Sequence, residues 1–142
     1  MENVLILEDD AANLQGIAEV LRSEHYSVLT ASNGLQAIEI TKACGPMSLF
    51  VTDMDLPNSS GTEIALLLLI LDPNLPVLFI SGTPMVWWTR RDVSNFKRFP
   101  TISVDFIEKP FSVSQLLMKV RSLIGQRAQI RIAKNAQVNQ AA

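Results

Sequence analysis

The chain has 142 residues, 48% of them hydrophobic and 18% charged, which suits one globular domain with its own core and excludes a disordered polymer. Its formal net charge of −2 argues against nucleic acid as the main ligand, because a duplex binder presents a basic face. A lone cysteine, Cys44, excludes an internal disulfide. The start Met1-Glu2-Asn3 lacks the basic segment of a signal peptide, and the longest apolar run, Ile64 to Leu71, is too short to cross a bilayer. The expectation is a cytoplasmic protein without membrane or nucleic-acid contacts.

Apolar runs alternate with helical patterns along the chain. Val4 to Leu7 is a short continuous apolar run, as in a strand buried on both faces. Leu14, Ile17, Ala18 and Leu21 then share one helical face. Tyr26 to Ala31 predicts a second strand, Ser32-Asn33-Gly34 a turn, and Leu35 to Cys44 a helix stopped by Gly45-Pro46. Ser48 to Thr52 predicts a third strand, ending at Asp53. Ser60 and Glu63 have the spacing of a capping box, opening an apolar helix that ends near Asp72-Pro73. Val77 to Ile80 predicts a fourth strand, ending at Ser81-Gly82. Val86 to Phe99 predicts a weakly patterned helix, and Val104 to Ile107 a fifth strand. Ser112 and Gln115 form a second capping box, before a stripe of Val113, Leu116, Leu117, Val120 and Ile124 that Gly125 would cap.

Five strands alternating with helices imply an α/β fold: a doubly wound five-stranded parallel sheet with helices on both faces. In such folds the site lies at the carboxyl ends of strands, where strand order reverses. Those ends carry Glu8-Asp9-Asp10, then Asp53 with Asp55, then Ser81-Gly82, then Lys109-Pro110. Clustered carboxylates repel unless a cation compensates, and an all-oxygen donor set suits Mg²⁺. A lysine and a hydroxyl facing that cluster suit an incoming phosphoryl group, which needs an in-line nucleophile, a metal and donors for its oxygens.

Four segments in this order resemble response-regulator receiver domains from about Asn3 to about Gln126. They are Val4-Leu5-Ile6-Leu7-Glu8-Asp9-Asp10; Asp53-Met54-Asp55-Leu56-Pro57 with Gly61; Leu78-Phe79-Ile80-Ser81-Gly82; and Phe106-Ile107-Glu108-Lys109-Pro110-Phe111. The resemblance implies strand order 2-1-3-4-5 and a signalling phosphoacceptor rather than an enzyme. By it, Asp53 matches the phosphoacceptor, taking a phosphoryl group from a histidine kinase or phosphotransfer protein. Glu8 and Asp9 match the acidic pair that holds Mg²⁺, with Asp53 and the backbone carbonyl of Asp55. Ser81 matches the switch hydroxyl, with Gly82 giving the phosphate room. Lys109 matches the phosphate-pairing lysine, Pro110 follows it in an often cis bond, and Phe106 matches the aromatic switch position. The domain would exist as a monomer or a phosphorylation-linked homodimer, biased between two states.

Plainer readings stand beside these. Asp10 suits a helix cap, His25 the surface, Cys44 a packing role, and Ala65 to Leu71 a core helix with room for a partner. Phe106, lacking a hydroxyl, cannot make the outward contact a tyrosine makes. Trp87 and Trp88, if helical, point about 100° apart, leaving one for the core and one for an interface. The segment 84–103 is long for the family, and an irregular loop over the core is the other reading.

Two rival functions remain. Asp53-Met54-Asp55 resembles the Asp-x-Asp signature of haloacid dehalogenase phosphatases, but that family places it on the first strand, with its acidic metal pair after the lysine. The other rival is a receiver-like interaction module that takes no phosphate, against which the full set of acids, hydroxyl and lysine argues. Residues 1–126 are expected to form the receiver domain. Residues 127–142 would be a tail, either a helix extension or disordered, with no output domain.

Overall fold

A computed structural model describes residues 2–141, with side chains through residue 137; Met1 and Ala142 lie outside the described residues. The strands are β1 (Asn3–Leu7), β2 (Ser27–Ala31), β3 (Leu49–Asp53), β4 (Val77–Ser81) and β5 (Val104–Glu108). Between and after them run α1 (Ala11–Ser23), α2 (Gly34–Cys44), α3 (Gly61–Leu71), α4 (Arg90–Phe96) and α5 (Val113–Ala141). All pairings are parallel, in the order β2-β1-β3-β4-β5, as the family resemblance implied.

Pleating sorts each strand's side chains onto two faces. On one face Val4, Ile6, Val51 and Ile80 pack with Ile17, Ala18 and Leu21 of α1 and Leu116, Leu117 and Val120 of α5. On the other, Leu5, Leu7, Phe50 and Phe79 pack with Ala37 of α2 and Ile64, Ala65 and Leu68 of α3. β3 and β4 are buried at every position, which explains their unbroken apolar runs. A fully buried ring such as Phe50 contributes roughly 1.5–3 kcal/mol by leaving water.

Local hydrogen bonding settles the element ends. Asp10 caps α1 by accepting from Asn13 N at 2.9 Å, as its position suggested, and Asn33 caps α2. His25 is exposed, with φ +69° just past α1. Ser112 and Gln115 form the reciprocal box expected at α5, at 2.9 and 3.1 Å. The box expected at α3 does not close. Ser60 Oγ accepts from Thr62 N at 3.2 Å and donates to Asp92 Oδ1 of α4, while Glu63 turns outward to Arg91 at 2.9 Å. The box stays open because the Glu63 carboxylate pairs with Arg91 instead of returning to the Ser60 N–H, and that exposed ion pair is itself worth little.

Four other expectations are corrected. Val86 to Phe99 is not one helix: a 3₁₀ turn, Met85–Trp87, gives way to extended backbone at Trp88 and Thr89, and Thr89 caps the short α4. The tryptophans therefore do not share a helix; Trp87 is 75% exposed and Trp88 is half-buried against Phe96 and Phe106. Cys44 is exposed rather than packed. Gly125 does not end α5, which continues to Ala141. Beyond Gly125, buried Arg127 donates to Asp72 Oδ2 at 2.9 Å and to the Asn74 carbonyl at 3.0 Å, docking the next turn onto the α3–β4 loop. That contact offsets the roughly 0.5–1 kcal/mol that glycine costs inside a helix.

The α3 helix divides as its all-round apolarity allowed. Ile64, Ala65 and Leu68 are buried, while Leu67, Ile70 and Leu71 face outward. Its first residue, Gly61, is a site of close approach: an added Cβ would lie 2.0 Å from the Asp53 carbonyl oxygen. Gly61→Ala should therefore destabilise the fold by roughly 1–3 kcal/mol in chemical denaturation, by forcing α3 away from the end of β3.

Candidate functional site

The ends of β1, β3, β4 and β5 open on one edge of the sheet. Asp53, the last residue of β3, is 6% exposed, and Ser81, the last of β4, is 1% exposed. Glu8 directly follows β1 and is 2% exposed, whereas Asp9 is exposed. Lys109 directly follows β5, and its backbone N–H donates to the Ser81 carbonyl at 2.8 Å, locking the two loops together. The Lys109–Pro110 bond is cis.

The side chains converge. Lys109 Nζ lies 3.2 Å from Asp53 Oδ2 and 3.9 Å from Glu8 Oε2. Asp53 Oδ1 accepts from the Asp55 N–H at 3.0 Å. One carboxylate oxygen each from Glu8, Asp9 and Asp53 lies within 4.8 Å of the others. Glu8 Oε2 is buried without a hydrogen-bond partner among the described residues. An orphaned buried oxygen beside two more carboxylates fits a hard divalent cation.

The electrostatics follow from this crowding. Burial pushes the Glu8 carboxyl up to about 7, and the adjoining Asp53 carboxyl adds to the rise. Asp55 is raised by burial and then by the charges of Asp53 and Asp92, with Lys109 partly opposing. Burial alone would lower Lys109, but the Asp53 charge and hydrogen bond, with Glu8 and Asp55, outweigh it and hold Lys109 above the ordinary lysine range. The lysine is thus held as a cation, ready to pair with an anion.

Glu8, Asp9, Asp53 and Lys109 are brought together, with Asp55 exposed at the rim. Ser81 closes the neighbouring strand end, but its hydroxyl is engaged within its own loop, donating to the Thr83 carbonyl at 2.6 Å. Gly82 is exposed beside it, and Phe106 is half-buried on β5. Sequence reasoning missed two groups. Trp88 Nε1 donates to Ser81 Oγ at 3.0 Å. Asp92 accepts from both Ser60 and Thr62, joining α4 to the start of α3. An aromatic with a polar edge seven residues after Ser81 was the one available sign of the first; no local pattern marks the second.

Residues 4–121 match the family of the response regulator receiver domain. The chain belongs to this family. It is 26% identical over 121 residues to the cell cycle transcriptional regulator CtrA of Caulobacter vibrioides, covering 85% of this chain and 49% of that one. The chain thus spans about half the length of the curated relatives it matches. It also resembles the solved structure of a response regulator receiver protein from Sinorhizobium medicae, with 28% identity, a TM-score of 0.75 and coverage of 89% and 96%. A receiver domain structure from Methanospirillum hungatei shares the fold, with 22% identity, a TM-score of 0.79 and coverage of 91% and 98%. Family membership sets the phosphatase alternative aside. No described helix is long and apolar enough to cross a membrane.

The raised Glu8 gives a pH signature. Its folded-state value lies above its ordinary 4.5, so the metal-free fold loses stability as pH rises from about 4.5 through 7. Glu8→Gln should flatten this dependence in melts between pH 5 and about 8. A divalent cation held by these acids would require the ionised carboxylate, so any Mg²⁺ affinity measured by calorimetric titration should fall as pH drops below about 7.

Proposed function

We propose that this receiver domain takes a phosphoryl group onto Asp53 from a phosphohistidine of a partner histidine kinase or phosphotransfer protein. The observation that carries the reading is Lys109 Nζ bridging Asp53 and Glu8 at 3.2 and 3.9 Å across the ends of three strands. An Asp53 carboxylate oxygen attacks phosphorus, the phosphorus–nitrogen bond breaks, and the partner's imidazole leaves. Burial limits competing water, and the Asp55 N–H and Lys109 orient the two carboxylate oxygens. Lys109 then pairs with an oxygen of the transferred group, and the Ser81 hydroxyl donates to another. Glu8, Asp9 and Asp53, with the Asp55 carbonyl, would hold Mg²⁺, which supplies neutralisation of the transferred group's charge.

The chain is read as a signalling phosphoacceptor rather than an enzyme that turns over a substrate. Phosphorylation biases a two-state equilibrium, through Ser81 and the aromatic position Phe106. Residues 1–126 are read as the phosphoaccepting unit, and the rest of the chain as its C-terminal tail. The gathered acids, hydroxyl and lysine favour phosphorylation over an interaction module that takes no phosphate.

Incubation with Mg²⁺ and acetyl phosphate should add one labile phosphoryl group by intact mass. The adduct should be absent in Asp53→Asn and in metal-free buffer. Lys109→Ala should slow its formation by roughly a hundredfold, the scale of losing one donor aimed at developing charge. Absence of any adduct on the wild-type chain would refute the reading.

A further inference from the structure

The Ser81 hydroxyl has no free valence. A hydroxyl offers one proton and two lone pairs. Ser81 gives its proton to the Thr83 carbonyl at 2.6 Å and accepts from Thr83 N at 3.1 Å and from Trp88 Nε1 at 3.0 Å. To donate to a phosphoryl oxygen on Asp53, the hydroxyl must first surrender the Thr83 carbonyl. Trp88 opposes that departure, because its N–H is shared between Ser81 Oγ and the Thr83 carbonyl, the latter at 3.2 Å, and clamps the pair together.

The indole is itself held in place. Its ring meets Phe106 edge-on at 5.0 Å and 74°, and Phe96 at 5.4 Å and 69°, while Phe96 meets Phe106 at 6.0 Å. Phe106 and Phe96 carry no polar atom on their rings, so Trp88 supplies this aromatic cluster's hydrogen bond to Ser81. The residues just before it, Val86 and Trp87, are 84% and 75% exposed on a single 3₁₀ turn, so a change at Trp88 reaches the surface directly.

We propose that Trp88 is a positioning residue: it latches the Ser81 hydroxyl away from Asp53 in the unphosphorylated domain, and its release on phosphorylation couples Ser81 to Phe106 and to the surface turn bearing Trp87. The inference rests on the phosphoacceptor reading and adds to it the group that holds the switch closed.

The probe is beryllofluoride with Mg²⁺, a non-covalent mimic of the phosphoryl group, titrated calorimetrically. Trp88→Phe keeps the ring packing and removes the donor, so beryllofluoride should bind about threefold to tenfold more tightly, the worth of one hydrogen bond. In a Ser81→Ala background the same substitution should change affinity less than about twofold, because the hydroxyl that the indole restrains is already gone and only its bond to the Thr83 carbonyl is left to lose. A role in packing alone would give the same effect in both backgrounds. Independently of any change at position 88, a Trp87→Phe chain has one indole, and its N–H resonance should shift when beryllofluoride saturates the site. Equal affinity of Trp88→Phe and wild type, an equal effect in both backgrounds, or an unmoved indole resonance would each overturn the latch while leaving the phosphoacceptor reading intact. Failure of the wild-type chain to bind beryllofluoride would overturn both.

Discussion

The contact between Lys109 Nζ and Asp53 Oδ2, at 3.2 Å, holds the functional edge of this domain together. Three carboxylates crowd one strand-end pocket, and two of them are almost wholly buried. Such groups repel one another and lose hydration, costs that a nearby cation offsets. The Lys109 side chain reaches across the end of β4 to both Asp53 and Glu8, from backbone whose N–H is fixed to the Ser81 carbonyl. The compensation is incomplete: Glu8 Oε2 keeps no hydrogen-bond partner among the described residues, and its carboxyl is driven up to about 7. A pocket that remains electrostatically unsatisfied is suited to gaining a cation, an anionic group, or both.

The rest of the fold gives this edge its rigidity. Both faces of the central strands are packed, so Asp53 and Ser81 project from backbone that has little freedom to shift. Gly61 lets α3 begin in contact with the Asp53 carbonyl, and Asp92 ties α4 to the hydroxyls at that same helix start. The segment between β4 and β5 is built otherwise. It is held by aromatic edges and a few hydrogen bonds, with short helical turns and exposed Val86, Trp87 and Ile102. A rigid strand-end edge thus adjoins a lightly held surface, a division of labour that suits the switch proposed for this domain.

Some of this organisation is local and was legible along the chain. Parallel strands buried on both faces read as near-continuous apolar runs, so Val4–Leu7, Ser48–Thr52 and Val77–Ile80 were visible as strands. Asp10 and the Ser112–Gln115 pair cap their helices through bonds spanning three residues, which spacing can reveal. The acids, the hydroxyl and the lysine were each visible as polar residues ending apolar runs, and strand order alone dictates that such ends meet.

Other features depend on residues far apart in sequence. Glu63 leaves the expected capping box because Arg91 and Asp92 arrive from another helix. Gly125 fails to stop α5 because Arg127 finds Asp72 and Asn74. Val86 to Phe99 reads as a weak helix, yet the segment breaks at Trp88, whose indole bonds Ser81 and meets Phe106 edge-on. The sequence by itself determined the order of the elements and which chemical groups would stand at the strand ends, since both follow from periodicity and burial. Only the tertiary structure decided how Lys109 divides itself between Asp53 and Glu8, and that Trp88 occupies the hydroxyl beside them, because those contacts join segments whose approach no local pattern encodes.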